Sequence, residues 1–132
     1  MKSRRAEKKQ IAWSARRVAL WSLFAVIVFE LMTLISRFGL GLQSTRDTQF
    51  LAAWTMGFRI HHGYVGVLGL FSVILCGILL PGAQKGKWRG ITRGKSGWLL
   101  IISAGLIGSD LVHHFAVLWP LTSSPQFDLR YD

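Results

Sequence analysis

The chain has 132 residues, is 51% hydrophobic and 17% charged, and carries a formal charge of +10. That length holds one domain and excludes a large two-domain enzyme. Its single cysteine, Cys76, excludes a disulfide framework and any thiolate-built zinc or iron–sulfur site within one chain.

So apolar a composition with so few charges points to a small membrane protein whose cations lie outside its apolar stretches. Residues 1–17 form a basic arm holding Lys2, Arg4, Arg5, Lys8, Lys9, Arg16 and Arg17. Residues 18–36 are apolar but for Glu30 and are long enough for a first span, which takes roughly 20 such residues. The run exceeds the roughly 7–15 residues of a signal-peptide core, and no small-x-small site follows it, so it reads as a retained helix. Residues 37–61 form a connection. Gly39-Leu40-Gly41 reads as its exit turn, and Thr45 or Asp47 as a cap. Phe50, Leu51, Trp54 and Phe58 then fall at helical spacing. This predicts a short amphipathic helix at the interface, running on into the second span near Gly57 or Gly63.

Residues 62–80 form the second span, ended by Pro81-Gly82. The glycine-rich stretch 81–97 carries Lys85, Lys87, Arg89, Arg93 and Lys95. It has neither the Gly-Lys-Ser/Thr ending of a phosphate-binding loop nor a strand before it. Residues 98–118 form the third span, with Asp110, His113 and His114 near its far end. The tail 119–132 holds Trp119, Pro120, Pro125, Phe127, Leu129 and Tyr131, too apolar for a disordered end. It is expected to fold across the mouth of the bundle, with Asp128 as an extra ligand, or to dock on a partner. Every backbone polar group in lipid must be satisfied within its own segment, so the fold class is an all-α integral membrane protein with three transmembrane helices.

Charge placement gives an orientation. Twelve of the sixteen Lys and Arg fall in the arm and the 81–97 loop, on one side of the three spans. The other side holds Arg37, Arg46, Arg59 and Arg130, offset by Asp47, Asp128 and Asp132. The positive-inside rule then places the N-terminus in the cytoplasm and the C-terminus outside, in a bacterial-type inner membrane. Trp13, Trp21, Trp88 and Trp98 mark the inner interface, and Trp54 and Trp119 the outer one. These cations need only meet anionic headgroups, which argues against a nucleic-acid partner and for membrane lipids.

Ionisable residues inside a membrane are costly and mark functional positions. With this topology Glu30, His61, His62, Asp110, His113 and His114 all gather in the outer half of the bilayer. Asp110, His113 and His114 share roughly 100° of one helix face. His62 shares its face with Gly66 and Gly69, a stripe where another helix approaches closely, so it is expected to point inward and His61 toward solvent or a headgroup.

Imidazole with carboxylate is a ligand set for copper, iron or zinc, and i, i+3, i+4 spacing recurs in metal sites of helical bundles. His62, Asp110, His113 and His114 are therefore the first candidate metal ligands, with Glu30 and His61 second. This composition reads as a small membrane subunit or accessory protein with a transition-metal site. A structural or assembly subunit that uses the polar cluster for packing is the alternative, followed by b-type haem binding, with Gly63, Gly66 and Gly69 leaving room for the macrocycle, and by a proton or ion path. The glycine stripe predicts further association, with other membrane subunits or as a homo-oligomer. No separate substrate pocket or nucleophile constellation is visible, so enzymatic activity stays open.

Overall fold

The computed structural model describes residues 13–79, 94–126 and 129–131. Most of the basic arm, most of the 81–97 loop and Asp128 lie outside them. The described residues are all-helical, without strands, and three helices are long and apolar enough to cross a membrane.

Helix α1 spans Ala15–Leu34 and runs on as a π-helical turn over Ile35–Gly39. Ser14 caps it, its hydroxyl accepting from the Arg17 amide at 3.3 Å and so satisfying one of the donors that a helix start leaves open. Helix α2 is the single turn Ser44–Asp47, followed by a 3₁₀ turn at Gln49–Ala53. Helix α3 spans His62–Leu79. Helix α4 starts at Gly94, is α-helical to Leu111 and π-helical over Val112–Leu118, and closes with Trp119–Thr122. Ser123 ends it in the left-handed conformation, φ 57°.

The connection before α3 differs from the expected amphipathic helix. It is helical only in two short pieces, and Trp54 and Phe50 stay exposed. Met56 and Gly57 take positive φ (53° and 81°), which breaks any helix heading for α3. Residues 57–59 pair instead with the tail. Arg59 N–H donates to the Leu129 carbonyl (3.0 Å), Tyr131 N–H donates to the Gly57 carbonyl (2.9 Å), and Phe58 and Arg130 form an isolated antiparallel bridge. The tail thus folds back over the end of the bundle. The Tyr131 hydroxyl shares a hydrogen bond with that of Thr48 (2.8 Å) and so ties the tail to the connection.

Helix α4 is the middle of the bundle and packs on both α1 and α3. Small residues set both contacts, as expected where apolar burial gives no drive between helices in lipid. A Cβ at Gly66 would lie 2.7 Å from the Ser103 carbonyl oxygen of α4, and one at Gly105 would lie 2.6 Å from Ala25 Cβ of α1. The pairings 25 with 105 and 66 with 103 make α1 and α4 parallel and α3 antiparallel to them. At the shared start of α1 and α4, Trp98 stacks edgewise on Trp13 and Trp21, with centroids 4.9 and 5.9 Å away.

Burial is inverted relative to a water-soluble bundle. The buried apolar side chains among the described residues are Val73, Ile101 and Leu118, whereas Glu30, Arg59, His61, Ser103, Ser109, Asp110, His113 and His114 are all buried. Large apolar side chains such as Leu23, Ile27, Leu68, Phe71 and Ile78 face outward. A surface this apolar is far beyond what a soluble monomer exposes.

Candidate metal centre

The polar residues meet at the end of the bundle opposite the Trp13–Trp21–Trp98 cluster. Three helices deliver them: Glu30 from α1, His61 and His62 from the start of α3, and Ser109, Asp110, His113 and His114 from α4. Glu30, His61, Asp110, His113 and His114 are each between 4% and 8% exposed, so all five have left solvent.

The π-helical stretch Val112–Leu118 shapes the α4 contribution. Pro120 has no N–H, and its ring would collide with the carbonyl four residues earlier in a regular α-helix. The wider turn just before it relieves that conflict. Such π stretches frequently occur at functional sites. The two adjacent histidines of this stretch meet different neighbours.

His113 turns to α1. Its Nδ1 lies 3.0 Å from Glu30 Oε1, and the Ser109 hydroxyl donates to Glu30 Oε2 at 3.4 Å. His114 turns to α3. Its Nε2 lies 3.2 Å from His61 Nδ1, and its Nδ1 lies 2.6 Å from the Pro125 carbonyl oxygen. A carbonyl can only accept, so the Nδ1 of His114 carries a proton and, in the neutral ring, Nε2 presents its lone pair to the centre. The tail residue Pro125 thereby fixes the tautomer of His114.

Asp110 completes the group. Its Oδ1 is 3.8 Å from His114 Nε2 and 3.9 Å from His61 Nδ1. Three atoms with these separations share a point about 2.1 Å from each, which is the usual zinc–imidazole and zinc–carboxylate bond length. His61, Asp110 and His114 could therefore hold a metal ion. The Asp110 Oδ1 atom is buried without a hydrogen-bond donor of its own. His62 Nδ1 approaches it at 3.2 Å, and the buried Nε2 of His62 is likewise without a hydrogen-bond partner. A buried carboxylate oxygen ringed by imidazole nitrogens and lacking a donor is an environment that a cation satisfies.

Of the two second-span histidines, His61 departs from the place that helical phase predicts. His61 is buried at the centre, while His62 keeps a side-chain exposure of 33% at the rim. The reason is local. His61 precedes α3 and follows the extended segment held by the tail, so the 100° step of a helix does not apply to it. His62 remains beside Asp110, where it is the nearest further nitrogen. Glu30 and His113, both expected as ligands, are brought together with each other. The room beside the glycine stripe, expected for a macrocycle, is filled by α4. A Cβ at Gly63 would lie 2.6 Å from Asp110 Oδ2, and one at Gly66 would lie 2.9 Å from Ile107 Cγ1.

Two contributions have no sequence signal: the Pro125 carbonyl, which is backbone, and the burial of Arg59, which depends on the tail. A cavity of about 420 Å³ opens beside the centre, and its lining includes His61, His62, Asp110, His113 and His114 together with Arg37, Arg59, Gln43, Thr48, Gln126 and Tyr131. Compared with protein-family models, with curated proteins and with solved structures, the chain finds no match.

Proposed function

We propose that the chain is a small integral membrane subunit or accessory protein that holds one transition-metal ion through His61 Nδ1, Asp110 Oδ1 and His114 Nε2. The observation that carries the reading is the triangle of these three atoms, which has one common point at bond length. The Pro125 carbonyl behind His114 supports it, because ligating histidines characteristically donate their other N–H to a carbonyl or carboxylate. His62 is the fourth ligand or a partner of the Asp110 carboxylate. Two imidazoles and one carboxylate suit zinc, copper or iron. A bare ion is favoured over haem, whose two axial nitrogens would face each other across roughly 4 Å with the ring between them.

The membrane reading rests on the three apolar helices and the inverted burial. The orientation rests on the twelve clustered cations, with the arm cytoplasmic and the metal centre at the outer face of a plasma membrane. A purely structural cluster is the second reading, because 3.2 Å between His61 and His114 is also a hydrogen-bond length. Metal analysis separates the two. Protein purified in detergent and reconstituted with zinc, copper or ferrous iron should retain about one ion per chain after dialysis. A chain that stays metal-free through all three reconstitutions has a structural cluster.

Removal of the tail after Thr122 provides a further expectation. It takes away the Pro125 carbonyl and the pairing of residues 57–59 with residues 129–131 ahead of His61, but none of the three ligands. Loss of a group that orients a ligand typically weakens metal binding about 10–100-fold, and a competition titration with a chelator should read a change of that size. Unchanged affinity would mean that the tail does not orient His114.

A further inference from the structure

The cavity beside the metal centre has a wall whose chemistry the metal does not explain. Arg37, at the end of α1, lines it half-buried. Its guanidinium donates to Gln126 Oε1 at 2.8 Å, a neutral partner, and no ion pair to a carboxylate engages it among the described residues. Arg59, 6% exposed, lines the same cavity. The acid on this wall, Asp47, is occupied elsewhere: Arg46 reaches both of its oxygens at 2.9 and 3.0 Å, and the Gln43 amide donates to it at 2.6 Å. The Arg46 guanidinium also holds the Asp47 carboxyl below the usual carboxylate range, so the pair is ionised together and nearly neutral to its surroundings.

Glu30 and His113 are engaged with each other at 3.0 Å, and of the two His113 lines the cavity. A divalent ion at His61, Asp110 and His114 brings two positive charges against the single charge of Asp110. The ion and Arg37 then both present positive charge to the cavity. Hydroxyl and amide donors stand around it: Thr48 and Tyr131, joined at 2.8 Å, and Gln126, which orients Arg37.

We infer that this cavity binds a phosphate-bearing ligand, with Arg37 as the principal anion contact and the metal centre as the opposite pole. The guanidinium fork matches the oxygens of a phosphate, and Arg37, half-buried and without a carboxylate among the described residues, has the donors to take an anion from outside. A volume of about 420 Å³ is that of a small organic ligand and exceeds what a bare phosphate fills. Leu42, Ile60 and Leu118 give an apolar body a place to rest. The phosphate comes from a lipid headgroup or from a free phosphate ester, and the two share this chemistry. The inference rests on the metal reading only for the charge of one wall.

Equilibrium dialysis with radiolabelled inorganic phosphate tests it, using the full chain in uncharged detergent, with and without added zinc. Saturable binding, tightened by zinc, is expected. Arg37→Gln should weaken phosphate binding about tenfold or more, the size of a lost charge-assisted contact, while metal content stays at the wild-type value. Arg37→Lys, which keeps the charge and loses the fork, should fall between the two and guards against a folding artefact. Phosphate binding by a chain that takes up none of zinc, copper and ferrous iron would sustain the cavity assignment and remove the metal reading. Zinc uptake with no saturable phosphate binding, or an Arg37→Gln chain that binds phosphate as wild type does, would overturn the cavity assignment alone. Repeating the dialysis in nanodiscs of phosphatidylglycerol and of phosphatidylcholine identifies the source. Displacement of phosphate by phosphatidylglycerol supports the assignment with a headgroup as ligand, and undiminished binding in both supports it with a free phosphate ester.

Discussion

His114→Ala is expected to yield a chain that retains less than about a hundredth of the wild-type metal affinity, since even groups that merely orient a ligand are worth 10–100-fold. Asp110→Ala should do the same, because it removes the one anionic ligand of the triangle. The informative comparison is His113→Ala, one residue away. His113 and His114 are both buried, and their rings lie 5.7 Å apart. His113 faces Glu30 at 3.0 Å, so its loss leaves a buried carboxylate with Ser109 as its remaining described partner, at 3.4 Å. Breaking a buried pair on one side costs about 3–5 kcal/mol. His113→Ala should therefore lower thermal stability markedly and keep its metal, whereas His114→Ala loses the metal. Elemental analysis beside a melting curve checks both. Equal metal loss in the two variants would place His113 in the coordination shell and discard the triangle.

Gly66→Leu is expected to separate α3 from α4. Two of the three atoms that a Cβ would meet at this position are backbone, the Ser103 carbonyl oxygen at 2.7 Å and the Ile107 nitrogen at 3.1 Å, with Ile107 Cγ1 between them at 2.9 Å, and backbone cannot turn aside. Overpacking of a close contact costs about 1–3 kcal/mol, and a leucine between two backbones belongs at or above the top of that range. The gain of roughly 1 kcal/mol from replacing glycine inside a helix is too small to offset it. Gly63→Ala has a different consequence. Its Cβ meets the Asp110 carboxylate, at 2.6 Å from Oδ2, and a side chain can rotate away. That variant should fold and lose metal, because the displaced group is the ligand. A folded Gly63→Ala chain with full metal content would show that Oδ2 can yield without moving Oδ1.

The sequence makes the three helices legible because twenty apolar residues in a row have few other uses, and the glycines at 63, 66 and 69 mark the α3 face on which α4 sits. That the ionisable residues gather at one end of the three helices is equally legible, since their place along each helix follows from the sequence. Their pairing is not. Helical phase assigns His62 to the interior, where its Nδ1 lies 3.2 Å from Asp110, but it turns His61 outward, and that fails because His61 lies just before α3, after backbone paired with residues 129–131. It places His113 and His114 about 100° apart, but which neighbour each meets depends on how α1 and α3 pack against α4. The fixed proton on His114 depends on a backbone carbonyl of Pro125, and carbonyls carry no residue signature.

The chain order of the centre has a consequence for its biosynthesis. Its parts come from residue 61, from residues 110 and 114, and from residue 125, and the first of these stands ahead of α3 while the last stands beyond α4. During synthesis His61 leaves the ribosome about fifty residues before its partners exist. It stays without them until α3 and α4 have packed antiparallel and the chain beyond α4 has emerged. No product that ends before residue 114 contains the triangle. On the proposed metal reading, loading is thus a late event that follows the assembly of all three helices.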